Sequence, residues 1–324
     1  MATGSAVLVL AACSNSPTAP SDQASMIKIA FKQGDTYRYH YRSALQATMT
    51  IGPGAELPIK ADATADATWE VVSVDPKGNT TVELTLSNLK TTFTGSFPPG
   101  STSSTTTTTT TAQHFQFEVA PTGEIVSGGG PSGPPSALAI VQGLGPPGTD
   151  QFLAILPGHS VKPGDTWTKA FSRPNPFGDG SITYSTENRF LRYDSLKSGR
   201  AAVIETTATM PLDLTIDPQK AMSATGGSAS PPPSSAAGPV SGVAHIQGTS
   251  STDTTTWFDV KTDQVEKVTS VDSTDETTTF LWGPGLPTPP VLPGLQGQPS
   301  LPLQGLLGPQ HFVGKQTIEL VRAS

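Results

Sequence analysis

The chain holds a single cysteine, Cys13, and few aromatic or charged residues. One cysteine excludes an intrachain disulfide framework and any Cys-rich zinc site. Charged residues are 14% of the 324 positions, the net charge is −7, and Lys and Arg are scattered. That pattern leaves no electrostatic footprint for nucleic acid. No apolar run reaches the ~18–20 residues of a spanning helix. The five histidines, His40, His114, His159, His245 and His311, show no two-His metal spacing. There is no Gly-x-Ser-x-Gly elbow and no Gly-rich phosphate loop between a strand and a helix. No catalytic residue, metal site or diffusible cofactor is therefore assigned. What the chain has in excess is Gly (32), Pro (31) and about 45 threonines. Gly raises the entropy lost on ordering and Pro removes a ladder donor, so part of the chain is expected not to pack.

The N-terminus runs Ala6-Val-Leu-Val-Leu10-Ala11-Ala12-Cys13. Residues 13–25, rich in Ser, Pro, Thr and Ala, read as a flexible tether. A signal peptide needs a cationic n-region, yet no Lys or Arg precedes Lys28. The signal peptide, residues 1–12, is therefore expected to be truncated, with the true start upstream. Leu10-Ala11-Ala12-Cys13 resembles the lipobox of bacterial lipoprotein precursors. The resemblance implies cleavage before Cys13 and a covalent diacylglyceryl group on its thiol. It also implies an extracytoplasmic protein of a bacterial cell envelope, whose partner is the membrane through its lipid anchor.

Beyond the tether, blocks with period-two apolar patterning alternate with low-complexity inserts. The inserts are Thr94–Ala112, with its run Thr105–Thr111, then Ser127–Thr149, Pro218–Gly242 and Gly283–Pro309. All four are expected as long surface loops. One strand is expected from Tyr37, with Tyr37, Tyr39, Tyr41, Ser43, Leu45, Ala47, Met49 and Ile51 on one face. A second runs from Ile204 through Met210, Leu212 and Leu214, and a third from Val82 to Leu86. Such long strands with one apolar face suit a strongly curved antiparallel sheet. Short helices are expected at Asp150–Leu156 and Ser136–Gln142.

One motif occurs twice. Lys32-Gln-Gly34-Asp35-Thr36-Tyr37 recurs as Lys162-Pro-Gly164-Asp165-Thr166-Trp167. Trp69 to Gly78 aligns with Phe190 to Gly199, and Phe117-Glu-Val119 with Phe258-Asp-Val260. In each copy Gly permits the tight turn, Asp caps its donors and the aromatic opens a buried face. Gly34, Asp35, Gly164 and Asp165 are therefore read as structural. The fold expected is mainly β, with two similar antiparallel halves forming curved sheets or half-barrels. The divisions are 26–127 for the first β repeat, 128–158 for a Gly/Pro-rich connector and 159–282 for the second repeat. A Pro/Leu/Gly-rich loop at 283–309 and a C-terminal strand at 310–324 follow.

The lipobox, the paired Gly-Asp-Thr-aromatic motifs and Leu156-Pro157 before the second copy are similar to a family of uncharacterised bacterial lipoproteins, a domain of unknown function. The similarity covers roughly residues 26–281 and 310–322 and implies no activity. In architecture, long curved strands on a lipid-anchored chain also resemble half-barrel carriers that shuttle lipids or lipoproteins across the envelope. On that reading Tyr37, Tyr39, Tyr41, Met210, Leu212 and Leu214 are the candidate ligand-facing residues, for a lipid or protein ligand. Two rivals remain: a surface spacer or adhesion module, and a hydrolase with dispersed site residues. The acidic stretch Asp272 to Glu276 reads as a solvated strand end. Cys13→Ala is expected to abolish palmitate labelling in cells, and labelling that persists would defeat the lipobox assignment.

Overall fold

A computed structural model describes residues 24–51, 54–95, 103–109, 111–131, 153–174, 181–196, 199–216, 242–282 and 309–323. The expected signal peptide, Cys13, most of the expected tether, Ser136–Gln142 and most of the inserts after residues 131, 216 and 282 lie outside the described residues. The elements are β1 (Ser25–Met26), β2 (Thr36–Ile51), β3 (Ala55–Val74), β4 (Thr80–Gly95), β5 (Ser103–Thr109), β6 (Gln113–Val119) and β7 (Ile125–Pro131). They continue with β8 (Ser160–Val161), β9 (Thr166–Pro174), β10 (Ser181–Leu196), β11 (Gly199–Ile216), β12 (Gly242–Asp259), β13 (Gln264–Trp282) and β14 (Gln310–Arg322). No helix occurs among the described residues.

Twelve strands form one antiparallel sheet in the order β7-β6-β4-β3-β2-β14-β13-β12-β11-β10-β9, with β5 beside the far end of β4. β14, the last strand in sequence, joins the two halves by pairing with both β13 and β2. The expected strands are present as β2, β11 and β4, each longer than foreseen; β3, which was not expected, has 20 residues, or about 65 Å at ~3.3 Å each. Alternation sets the faces. β10 alternates exposed and buried side chains over its first ten residues, ending on the buried Phe190.

The sheet curls until its edges approach one another. β7 and β9 lie ten strand spacings apart in this order, about 48 Å if the sheet were flat. Yet Lys169 on β9 makes an ion pair of 3.1 Å with Glu124, in the turn before β7. The barrel stays unclosed, because β7 and β9 share no ladder. A strap of chain fills the seam instead. Leu153, Ala154, Ile155 and Leu156 are all buried. The Leu156 N–H donates to the Thr122 carbonyl at 2.7 Å, and the Trp167 indole N–H donates to the Ile155 carbonyl at 2.8 Å. This corrects the helix expected at Asp150–Leu156. Residues 153–156 are non-helical, because all four side chains face protein and the backbone bonds outward to the sheet.

A second strap, Ile27 to Phe31, crosses the same end. Ile27, Ile29 and Phe31 are buried while Lys28 is exposed. The Ile29 N–H donates to Pro121 at 3.1 Å, and β1 pairs with β8 through Ser25↔Val161. Both straps join the largest core cluster, with Tyr37, Tyr39, Trp69, Phe117, Phe190, Phe258 and Leu320. They plug one end of the curl. The strands joined by residues 52–53, 96–102, 175–180, 217–241 and 283–308 meet at the opposite end.

The repeated turns are built alike. Gly34 N–H donates to Val71 and Val71 N–H to Asp35, while Gly164 N–H donates to Phe190 and Phe190 N–H to Asp165. Each Asp carboxylate also accepts the N–H of the Lys three residues before it. Val71, not Trp69, is thus the counterpart of Phe190. The two-residue shift keeps every side chain on its face, because the strand period is two. Trp69 opposes Tyr37 where Asn188 opposes Trp167.

One loop expectation is also corrected. Within Thr94–Ala112, the described residues 94–95 and 103–109 are strand: β4 runs to Gly95, and β5 pairs with it from Leu89↔Thr109 to Gly95↔Ser103. β-branched threonines favour extended backbone, which explains why a Thr run extends the sheet. Part of Ser127–Thr149 is likewise strand, since β7 reaches Pro131.

The strap generates a test. Gly123 has φ +82°, and a Cβ there would run into the Ala154 carbonyl oxygen. Gly34 has φ +85° but open space around it. Gly34→Ala is expected to lose about 1 kcal/mol from backbone strain alone. Gly123→Ala is expected to lose roughly 2–4 kcal/mol, because the strap must move. Urea midpoints of the two variants check this, and equal losses would count against the strap as a fixed seal.

Candidate functional site

Across β11, β12, β13, β14 and β2 the even-numbered residues of the first four, and the odd-numbered residues of β2, share the inner face of the curl. One row runs Thr206, Thr254, Ser270, Ile318, Ser43. The next, away from the plug, is Ala208, Thr252, Asp272, Gln316, Leu45. Two rows further lies Leu212, Gly248, Glu276, Phe312, Met49. The interior thus changes from aromatic core at the plug to a belt of hydroxyls, then to apolar side chains interrupted by two carboxyls.

The hydroxyl belt is bonded within itself. Thr254 and Ser270 hydroxyls lie 2.9 Å apart, Thr206 donates to Asn188 at 2.8 Å, and Gln316 donates to Ser43 at 2.9 Å. The carboxyls are less well served. Ser270 donates to Asp272 Oδ1 at 3.5 Å, a long bond, and Asp272 Oδ2 has no partner. Glu276 Oε2 is buried with no partner at all. The two residues are only 7% and 4% exposed. Burial pushes the Asp272 carboxyl up to about 6, against partial relief from the Thr252 and Ser270 hydroxyls. Burial alone pushes Glu276 up to about 7. An unpartnered buried polar group opposes folding; Thr256 Oγ1, nearer the plug on the same face, is a third, but the two carboxyls are the ones that can carry charge.

This corrects the solvated reading of the acidic stretch. Only Asp275 faces outward, where it meets His311 at 2.8 Å. The cause is a bulge. Phe258 pairs with Val265, while Trp257 pairs with Lys267, so one extra residue enters β13. Counting alternation from Val265 puts Val271 and Asp275 inside. The bulge inverts the parity, and Val268, Ser270, Asp272 and Glu276 turn inward instead. The sequence signal of the bulge is the i, i+3 spacing of Val265 and Val268, which breaks the period of two; both are buried.

The candidate ligand-facing residues separate into two groups. Tyr37 and Tyr39 are packed against protein at the plug, 3% and 2% exposed. Tyr39 lies 5.5 Å from Trp69 and donates to the Val265 carbonyl at 3.1 Å, and Tyr37 donates to Asp35 at 2.7 Å. Those two line no open space, because the straps occupy the volume in front of them. Met210 and Leu212 pack with Ile155, Phe171, Ile182, Tyr184 and Ile246 in a second cluster. Tyr41 and Leu214 are half-buried on the same inner face. Leu45, Met49, Ile51, Ile59, Phe93 and Phe312 are also only half-buried, and they lie towards the end opposite the plug. Cys13 and Leu10, Ala11 and Ala12, expected from the sequence to form a lipobox, lie outside the described residues.

The outer face carries dispersed ion pairs. His40 meets Asp66 at 3.2 Å, His114 meets Glu83 at 2.9 Å and His245 meets Asp213 at 2.8 Å, each across neighbouring strands. These pairs are solvated: the His40 side chain is 70% exposed. A shallow outer hollow of about 340 Å³ is lined by His40, Arg42, Asp66, Asn88 and Glu319, among others. Asn88, at φ 53°, donates to Asp66 there at 2.7 Å. Among the described residues no three His, Cys, Asp or Glu side chains gather as a metal site. No family model matches the chain, and no curated protein is significantly similar to it.

The raised carboxyls dictate a pH dependence. Between pH ~4.5 and ~7 the folded state holds a proton on Glu276 that the unfolded chain releases. This contribution to stability therefore falls as pH rises through that window and is flat below it. Glu276→Gln is expected to raise stability at pH 8 by roughly 1–3 kcal/mol, with the gain vanishing near pH 4. Thermal melts at the two pH values check the sign. A variant less stable than the parent at pH 8 would show that Glu276 has a partner.

Proposed function

We propose that this chain is a lipid-anchored, extracytoplasmic envelope lipoprotein without enzymatic activity, whose curled sheet holds an amphipathic ligand. The observation that carries the ligand is the inner face between the plug and the opposite end. There half-buried apolar side chains such as Leu45, Met49 and Phe312 share rows with Asp272 and Glu276. A wall that is apolar with a few polar groups set into it is what an amphiphile requires. The anchor rests on the likeness of Leu10-Ala11-Ala12-Cys13 to a lipobox, and the family placement on the paired Gly-Asp-Thr-aromatic motifs.

The geometry adds one argument. Residue 24 leads directly into β1 at the plugged end, so the tether leaves the domain there. An acyl anchor on Cys13 would then orient the plug towards the membrane and the opposite end away from it. The second reading, a surface spacer or interaction module, is favoured by the packing of Tyr37, Tyr39, Met210 and Leu212 against protein.

The test uses the full chain carrying Cys13→Ser, which removes the anchor. Native mass spectrometry is expected to show copurified amphiphile. The neutral fluorophore N-phenylnaphthylamine is expected to brighten saturably at about one equivalent per chain. Bare mass together with no fluorescence change would overturn the carrier reading and leave the spacer.

A further inference from the structure

The charge balance of the inner face selects the ligand's polar end. On β11, β12, β13, β14 and β2, the described inner side chains include two carboxyls, Asp272 and Glu276. One cation on that face, Arg322, lies at the plugged end, where it is bonded to Glu266 and stands over the Tyr37 ring. Arg200, also on that face, lies at the same plugged end and stands over the Tyr193 ring, while Arg38, Arg42, Lys267 and Lys315 of these strands point outward. Near Glu276 the described inner positions are Leu212, Ile246, Gly248, Thr274, Thr278, Gln310 and Phe312, with no cation among them. Both carboxyls are more than nine-tenths buried, and each keeps one oxygen without a partner.

We propose that the unpartnered carboxyls Glu276 and Asp272 receive the cationic head of the amphiphile, so that this inner face takes alkyl ammonium compounds in preference to fatty acids. The inference rests on the carrier reading of the same face. Its physical basis is direct. In a low-dielectric interior a carboxylate attracts an ammonium and repels another carboxylate far more strongly than in water. The ammonium also supplies the donors that the free Oε2 and Oδ2 lack, and such charge-assisted bonds exceed neutral ones in strength. A fatty acid would bring a third carboxyl to a face that already holds two.

Gly248 fixes the geometry of this end. It has φ +157°, and a Cβ there would meet the β13 backbone at Glu276 Cα, 2.6 Å away. The absence of a side chain lets β12 and β13 approach closely beside Glu276. Asp272, four residues nearer the plug, lies about 13 Å from it along the strand. The two carboxyls therefore act as successive stations along the interior rather than as one pincer.

The experiment is displacement of N-phenylnaphthylamine from the full chain carrying Cys13→Ser at pH 8. Dodecylamine, dodecanol and dodecanoate serve as competitors. Dodecylamine is expected to displace the fluorophore at roughly tenfold lower concentration than dodecanoate, equivalent to about 1.4 kcal/mol. In the double variant Glu276→Gln/Asp272→Asn that ratio is expected to fall to about two or less, with dodecanol unchanged. The double substitution separates a site effect from the attraction of the acidic protein as a whole. A ratio near one in the parent, or an undiminished ratio in the variant, overturns the ammonium preference while dodecanol binding keeps the carrier reading. If the fluorophore is not taken up, or no competitor displaces it, both fall. Should the double variant lose its far-UV spectrum, Glu276→Gln alone gives the same comparison.

Discussion

The structure depends on how the seam between β7 and β9 is filled. An antiparallel sheet with so many long strands twists and curls until its two edges approach, leaving unpaired ladder groups along both. A closed barrel would remove those edges, but this sheet stops short. The strap Leu153 to Leu156 enters the gap, buries four consecutive side chains and bonds to Thr122 and Trp167. Gly123 permits that close approach. The Lys169–Glu124 pair bridges the same seam from the surface. With the seam filled, the N-terminal strap Ile27 to Phe31 has a surface to lie on, and the aromatic core of both halves becomes one.

That plug divides the interior. Near it, Tyr39, Trp69 and Phe117 stack at angles typical of a filled core, with ring centroids 5.5–5.7 Å apart. Further along, Thr254 and Ser270 bond to each other, Thr206 donates to Asn188 and Ser43 accepts from Gln316. Beyond them the pairing runs out at Asp272 and Glu276. A protein that used this interior only for packing would gain stability by replacing the two acids with neutral side chains. Their presence is the main argument that the face has a task other than folding.

Much of the fold was legible in the sequence. The alternation from Tyr37 to Ile51 and from Ile204 to Ile216 announced β2 and β11, because a strand buried on one face must repeat every two residues. The repeated Gly-Asp-Thr turns were visible because Gly takes the positive φ without steric cost and the short Asp side chain reaches the turn's backbone donors. The candidate site was much less legible. Its two acids sit in a run that reads as solvent-exposed, and a single extra residue at the Glu266 bulge inverts the face they occupy. The Thr105–Thr111 run misled in the other direction: low complexity suggested a loop, but β-branching and a free edge on β4 made a strand.

Local rules therefore determined what the sequence alone could determine: strand character, turn positions, the resemblance of Cys13 and its neighbours to a lipobox, and a two-part β architecture. Tertiary structure decided the rest. It placed Leu153 to Leu156 in the seam rather than in a helix, because burial on all sides outweighed the capping signals around them. It packed Tyr37 and Tyr39 under the straps and turned Asp272 and Glu276 inward. These outcomes depend on which strands meet, which no short-range pattern in the chain encodes, and on one inserted residue, which the spacing of Val265 and Val268 alone marks.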